Sequence, residues 1–415
     1  MSTRSFTDVH VHVRTPTDDD VEFSVEEANE AVAGAVLAAS EGTIDGTVDK
    51  VLLTTQPLSA ANAAQYHVDF LELDEFASGQ DTLGAESIIA GVVVGGRRIN
   101  LILQAYDAAT EGSEQLDLAT ALSRILEARS PADVFANLVA IGEIAILHVS
   151  ADNADNPFIQ IDPLSELVHK LLSFAAGHDL PVDIHMEIVP YDVATADIEA
   201  VGRDDVPIVL YDPEKTEAEN VNPATLARNV EDFEYLVGNA QSWGAKIVLE
   251  HVGQAMILRD WFFQTMEDEL VTDTIDGSPV AFDGDWLPAW LDYLFTTYPG
   301  TLYVALKWNE GDAYAMRSLF TDDAWSADGA VVTRLKDRVL RDSWAELFYN
   351  WQDHFVMGSD QFLSSSTEDA NPEGNMATTM ELVEVIAASL NALGYDGEAI
   401  ADKFANGNAA VLYGI

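Results

Sequence analysis

The chain contains no cysteine, and only 20 of its 415 residues are lysine or arginine. Without thiols there is no disulfide and no thiolate ligand, so any bound metal must be held by histidine and carboxylate. The absence of cysteine is compatible with the cytoplasm. Against the 20 basic residues stand 71 Asp and Glu, a formal net charge of −51. Such a surface has few groups to neutralise phosphates, which argues against a nucleic-acid partner. Long apolar runs are missing too. The longest, near Ile88–Val94, is followed by Gly95-Gly96-Arg97-Arg98, and a bilayer span needs about 20 residues. Positions 1–15 are polar and charged and show no apolar core of a signal peptide. The expectation is a soluble, cytoplasmic protein with no membrane partner. Assembly of identical chains into a homo-oligomer is left open.

What the chain does have is enough apolar material to fold, 48% hydrophobic residues, with acids spread along its whole length. An acidic tail would be an interaction segment. A globular chain acidic throughout reads instead as halophilic, because concentrated salt screens its self-repulsion.

Short β-branched runs alternate with longer helical patterns, the signature of a parallel sheet. Strands are expected near Phe6–Val13, Lys50–Thr54, Asn100–Gln104, Leu138–Leu147, Val182–Ile188, Lys246–His251, Leu302–Leu306 and Phe355–Met357. Helices are expected at Ser165–Ala176, Thr225–Ala240 and Met380–Leu393, among others. Eight such strands make one α/β domain over residues 1–415, a (β/α)8 TIM barrel with extended βα loops. Insertions are expected near 189–223, which lacks a sustained apolar period, and near 270–299 and 312–333.

Histidine is scarce, nine in all, and four fall at informative places. His10 and His12 lie two apart at the end of the first strand, so both side chains can face the barrel interior. His185 closes the fifth strand and His251 the sixth. Asp360 follows the eighth, in Gly358-Ser359-Asp360, and Glu143 sits in the apolar run Ala140–Ile146. A lone carboxylate in such a run is costly and calls for a cation. Five strands thus deliver six polar groups to one end of the barrel, a donor set suited to Zn2+, Mn2+ or Fe2+. The remaining histidines read as packing residues; His148, directly after strand 4, is the further candidate to reach the site.

This order of residues resembles the amidohydrolase superfamily. Ile247-Val248-Leu249-Glu250-His251-Val252-Gly253, Phe355–Asp360 and Asn408–Gly414 resemble its amidohydrolase-related (amidohydrolase 2) branch. The resemblance implies a metal-dependent hydrolase. His10, His12 and His185 would hold one or two divalent ions, and Asp360 would be ligand, general base or both. His251 would bind a second ion or polarise the substrate. Arg14 and Lys307 would anchor a substrate carboxylate. Many binuclear members carry a carboxylated lysine on strand 4; Glu143 stands there instead, and would bridge two metals or brace a histidine.

The implied reaction is attack of an activated water on a carbonyl-centred bond of a small molecule: a lactone, ester or amide. The alternative at the same site is non-oxidative decarboxylation or hydration. A TatD-type phosphodiesterase or nuclease is permitted by Glu143, though such chains are typically much shorter and the acidic surface is unfavourable to it. A barrel that binds without turnover would have little reason to turn six costly polar groups inward.

Overall fold

A computed structural model of the chain describes residues 4–13, 46–55, 88–105, 118–123, 138–148, 159–188, 229–253, 272–275, 278–281, 285–308, 319–321, 335, 338–363 and 375–415. Its strands are β1 (Arg4–Val13), β2 (Gly46–Thr55), β3 (Ile89–Gly95), β4 (Leu138–His148), β5 (Ile159–Gln160), β6 (Val182–Met186), β7 (Ile247–Leu249), β8 (Thr272–Ile275), β9 (Ser278–Ala281), β10 (Leu302–Leu306), β11 (Phe355–Met357) and β12 (Gln361–Leu363). One sheet runs β11-β10-β7-β6-β4-β3-β2-β1-β12, with every neighbouring pair parallel.

Strands β11 and β12 are two halves of one strand, interrupted by Gly358-Ser359-Asp360. The first half pairs with β10 and the second with β1, which closes the ring. The fold is a (β/α)8 barrel, as expected. Short β5 adds an antiparallel pair to the end of β4, and β8–β9 form a separate hairpin.

The helices are α1 (Gly96–Gln104), α2 (Glu166–Gly177), α3 (Asn229–Trp243), α4 (Trp286–Thr297), α5 (Asp342–Asn350), α6 (Asn375–Ala392), α7 (Gly397–Asp402) and α8 (Asn408–Tyr413). Helix α2 shows why they form. Ser165 caps it by accepting the Val168 N–H, and Leu167, Val168, Leu171, Leu172 and Ala175 bury one face.

Two expectations are corrected. Residues 100–104 are not the third strand; they end α1, and the strand is the β-branched run Ile89–Gly95. The buried Ile99, Ile102 and Leu103 follow helical spacing, which a five-residue window cannot distinguish from a strand. The expected insertion at 270–299 is only partly one. Its first half holds the β8–β9 hairpin, whereas Trp286–Thr297 is the largely buried helix leading into β10. Residues 189–223 lie outside the described residues, as does 312–333 apart from 319–321.

Side-chain alternation separates two cores. Outward positions such as Val182, Ile184, Ile247 and Leu249 pack under the helices. Inward positions Leu52, Val93, Val248, Ala305 and Val356 pack with Ala409, Leu412 and Tyr413 of α8, which plugs the barrel's lower end. Two residues further along the same strands come Thr54, Gly95, Glu250, Lys307 and Gly358. The period of two therefore turns a small apolar layer into a polar one at the C-terminal ends of the strands.

Candidate metal centre

At the same ends of the strands the residues singled out by their strand positions come together. His10 Nε2 and His12 Nε2 face each other at 3.0 Å. His12 Nε2 lies 3.1 Å from Asp360 Oδ1 and 3.2 Å from Glu143 Oε2. His10 Nε2 is 3.6 Å from the same Glu143 oxygen and 3.8 Å from Asp360 Oδ1. The other Glu143 oxygen is 3.0 Å from His185 Nδ1. His251 Nε2 is 3.5 Å from Asp360 Oδ2. His10, His12, Glu143, His185, His251 and Asp360 are all buried.

Local backbone irregularities aim these groups. On β1, Asp8 pairs with Val51 and Val11 with Leu53, three steps against two, so a bulge falls at Val9-His10. On β4, Ile141 pairs with Val182 and Ile144 with Ile184, which places a bulge at Gly142-Glu143. Bulges re-aim side chains beside functional sites. His251, Val252 and Gly253 are left-handed in succession, with φ of 52, 59 and 66°. Asp360 is left-handed too, φ 53°. For non-glycine residues such a backbone costs about 1–3 kcal/mol and persists where its surroundings demand it.

Charge explains the protonation pattern. Burial would raise the Asp360 carboxyl, but the Lys307 ammonium, 2.6 Å from Oδ2, and then His251 hold it well below the usual range. Burial acts likewise on Glu143, where His10, His12 and His185 prevail and lower it. His12 is pushed up to about 10, because hydrogen bonds to Asp360 and Glu143 outweigh burial. His10 and His251 are pushed down to about 4 by burial, which favours their neutral form.

The donor set fits a divalent cation. Two ligands about 2.1 Å from one ion, at roughly 90–110° to each other, stand about 3.0–3.4 Å apart. The His10–His12, His12–Asp360 and His12–Glu143 separations lie in or close to that range. Ligand atoms of His10, His12 and Asp360 lie within 4.8 Å of one another, as do those of His10, Glu143 and His251. Among the described residues, His185 Nε2 and His251 Nε2 are buried without a hydrogen-bond partner; His251 belongs to one of these groups and His185 to neither.

Lys307 is in the site, but its ammonium is engaged by Asp360. Arg14 and His67 lie outside the described residues. His148 ends β4, with its ring 4.8 Å from that of His185. His169, His178 and His354 stay with the helical layer, as expected of packing residues; His354, for example, packs on Phe295.

Three buried carboxylates were missed. Asp8 accepts hydrogen bonds from the Ser359 N–H (2.9 Å), the Ser359 hydroxyl and the His10 N–H (3.2 Å), with its own carboxyl raised to about 6 by burial. Asp183 accepts from the Tyr413 hydroxyl beneath the site. Glu250 stands behind His10. Alternation carries a signal for two of them: Asp8 precedes His10 by two residues and Asp183 precedes His185 by two.

No family model matches the sequence, and no curated protein matches it. Among solved structures, a D-hydantoinase (dihydropyrimidinase) from Thermus sp. is similar at 12% identity and TM-score 0.42, over 99% of this chain and 70% of that one. A dihydroxybenzoic acid decarboxylase from Polaromonas sp. JS666, with bound manganese, has the same identity and TM-score, over 99% and 97%. A 2,6-dihydroxybenzoate decarboxylase from Rhizobium gives 10% and 0.41, over 100% and 99%. Likeness at that level is no argument for a shared reaction, so the chemistry rests on the residues of this chain.

Proposed function

We propose that the chain is a metal-dependent hydrolase of the amidohydrolase type, acting on a carbonyl-centred bond of a small lactone, ester or amide. The observation that carries this reading is the convergence of Glu143 and Asp360, from two further strands, on the pair His10 and His12, with ligand-atom distances to and between these histidines of 3.0 to 3.8 Å. His10, His12 and His185 would hold the ion together with Asp360. Glu143 engages His185 Nδ1 and thereby leaves Nε2 as the coordinating nitrogen. A divalent cation, Zn2+, Mn2+ or Fe2+, supplies a Lewis acid that polarises a carbonyl and makes a water more acidic.

The protein's own groups do the rest. Asp360, kept ionised beside Lys307, is placed to take a proton from the attacking water. His251, neutral and 3.5 Å from Asp360 Oδ2, can donate a hydrogen bond to the substrate's carbonyl oxygen or hold a second ion.

Decarboxylation or hydration is a second reading, favoured by one observation: the Lys307 ammonium inside the site, where a substrate carboxylate would meet it. A screen of lactones, esters and amides against one that detects CO2 release from aromatic acids separates the two.

The first test is elemental analysis of protein purified in molar KCl without a chelating column. The expected result is one or two equivalents of Zn, Mn or Fe per chain, lost in His12→Ala and lost or reduced in Asp360→Asn. Folded protein that neither carries nor takes up metal would overturn the reading.

A further inference from the structure

Glu250 directly follows β7, where the strand register sets it beside His185 of β6 and Ala305 of β10. It is 1% exposed, and neither carboxylate oxygen has a hydrogen-bond partner among the described residues. An isolated carboxylate costs several kcal/mol to bury, so the fold alone gives no reason for one here. Its Oε2 lies 3.2 Å from His10 Nδ1, a ring nitrogen that is likewise buried and without a hydrogen-bond partner. His10 Nε2, on the opposite edge of the ring, is the atom that meets His12, Glu143 and Asp360.

Room for this pair comes from Gly358. A Cβ there would stand 3.1 Å from His10 Cβ and 3.5 Å from Glu250 Oε2. A side chain at 358 would press on His10 and Ala305 and come into van der Waals contact with Glu250. The same glycine opens the interruption between β11 and β12 that presents Asp360, so one residue serves two parts of the site.

We infer that Glu250 is a positioning residue that braces His10 from behind, accepting the Nδ1–H so that Nε2 is left as the coordinating nitrogen. The inference rests on the metal-centre reading above. An accepting carboxylate fixes the tautomer and ring orientation, and such partners are worth about 10- to 100-fold in metal affinity.

The test uses the full chain in molar KCl and two readouts: Zn2+ affinity by competition with a chromophoric chelator, and the melting temperature of the metal-free protein. Glu250→Leu should bind Zn2+ about 10- to 100-fold more weakly. Its metal-free form should melt close to the wild-type temperature, because the carboxylate's desolvation cost goes together with its contact to His10. Glu250→Gln, which keeps an acceptor oxygen, should recover part of the affinity. Gly358→Ala should weaken binding by displacing His10.

A purely structural glutamate predicts the opposite pattern, metal-free stability lost together with affinity, and that result would overturn the brace. So would unchanged affinity in both Glu250 variants. If wild-type protein binds no metal, the centre itself fails and the brace with it; if wild type binds and the variants match it, only the brace fails.

Discussion

At the scale of single residues, Asp8 holds the site's two halves together. Its carboxylate takes two hydrogen bonds from Ser359 and one from the His10 backbone, tying the strand that carries His10 and His12 to the turn that carries Asp360. Asp8→Ala leaves those donors buried and unsatisfied, at about 1–3 kcal/mol for each group that water does not reach. Thermal melts should show the loss, and metal affinity should fall with it. Asp8→Asn keeps the shape and one acceptor, so it should be milder. The sign of its pH dependence follows from the carboxyl's rise to about 6. A raised acid stabilises the fold below its unfolded pKa and loses that contribution as pH climbs through 6. The stability gap between wild type and Asp8→Asn should therefore narrow from pH 4 to pH 6.5, and a gap that widens would contradict the account.

The same scale explains what could be read from the sequence. Histidine occurs nine times, so His10, His12, His185 and His251 at strand ends stood out. Carboxylates occur 71 times, so an individual Asp or Glu carries little information. Glu143 was legible because its flanks are apolar, and Asp360 because of the Gly-Ser before it. Asp8 and Asp183 carried only the signal of alternation, two residues before a histidine, and Glu250 became visible only when the strands were registered against one another. Lys307 was legible as a site residue, but its bond to Asp360 depends on two strands that meet only in the closed barrel.

At the scale of elements, the turn after β7 joins backbone conformation to chemistry. Strand β7 stops at Leu249, and the chain passes His251, Val252 and Gly253 in the left-handed region. The expected strand through His251 overran because Ile-Val-Leu-Glu-His-Val is a sound strand sequence, and nothing before Gly253 marks the reversal. Two substitutions separate backbone from imidazole. Gly253→Ala keeps the imidazole but places a Cβ 3.2 Å from Ile188 Cδ1 and from Leu249 Cδ2, at φ 66°. It should cost about 1–2 kcal/mol for the left-handed alanine. His251→Asn keeps a residue that tolerates this backbone and removes the imidazole. Its melting temperature should stay within a few degrees of wild type while turnover collapses. Retained turnover in His251→Asn, once a substrate is in hand, would remove His251 from the chemistry.

At the scale of the whole molecule, the charge balance makes salt the variable to test. Among the described residues several basic side chains meet acids: Arg4 meets Glu384, Glu398 and Asp402, and Lys170, Lys246 and Lys403 each hold one carboxylate. Over the whole chain 71 acids outnumber 20 bases, a formal net charge of −51. A chain of this length folds to a radius of gyration of about 22 Å. At 0.01 M salt the Debye length is about 30 Å, so every uncompensated acid repels every other across the molecule; at 1 M it is about 3 Å, and only neighbours interact. Stability should therefore climb with KCl, steeply below about 1 M and slowly above it. The measurement is melting temperature against KCl in the presence of a chelator, which removes any contribution from metal uptake. Sucrose, a neutral solute that also favours compact states, serves as the comparison. A rise with KCl much larger than with sucrose would assign the effect to charge screening. A melting temperature unchanged from dilute buffer to molar KCl would mean that the acids are already accommodated without salt, and the halophilic reading of the composition would be wrong.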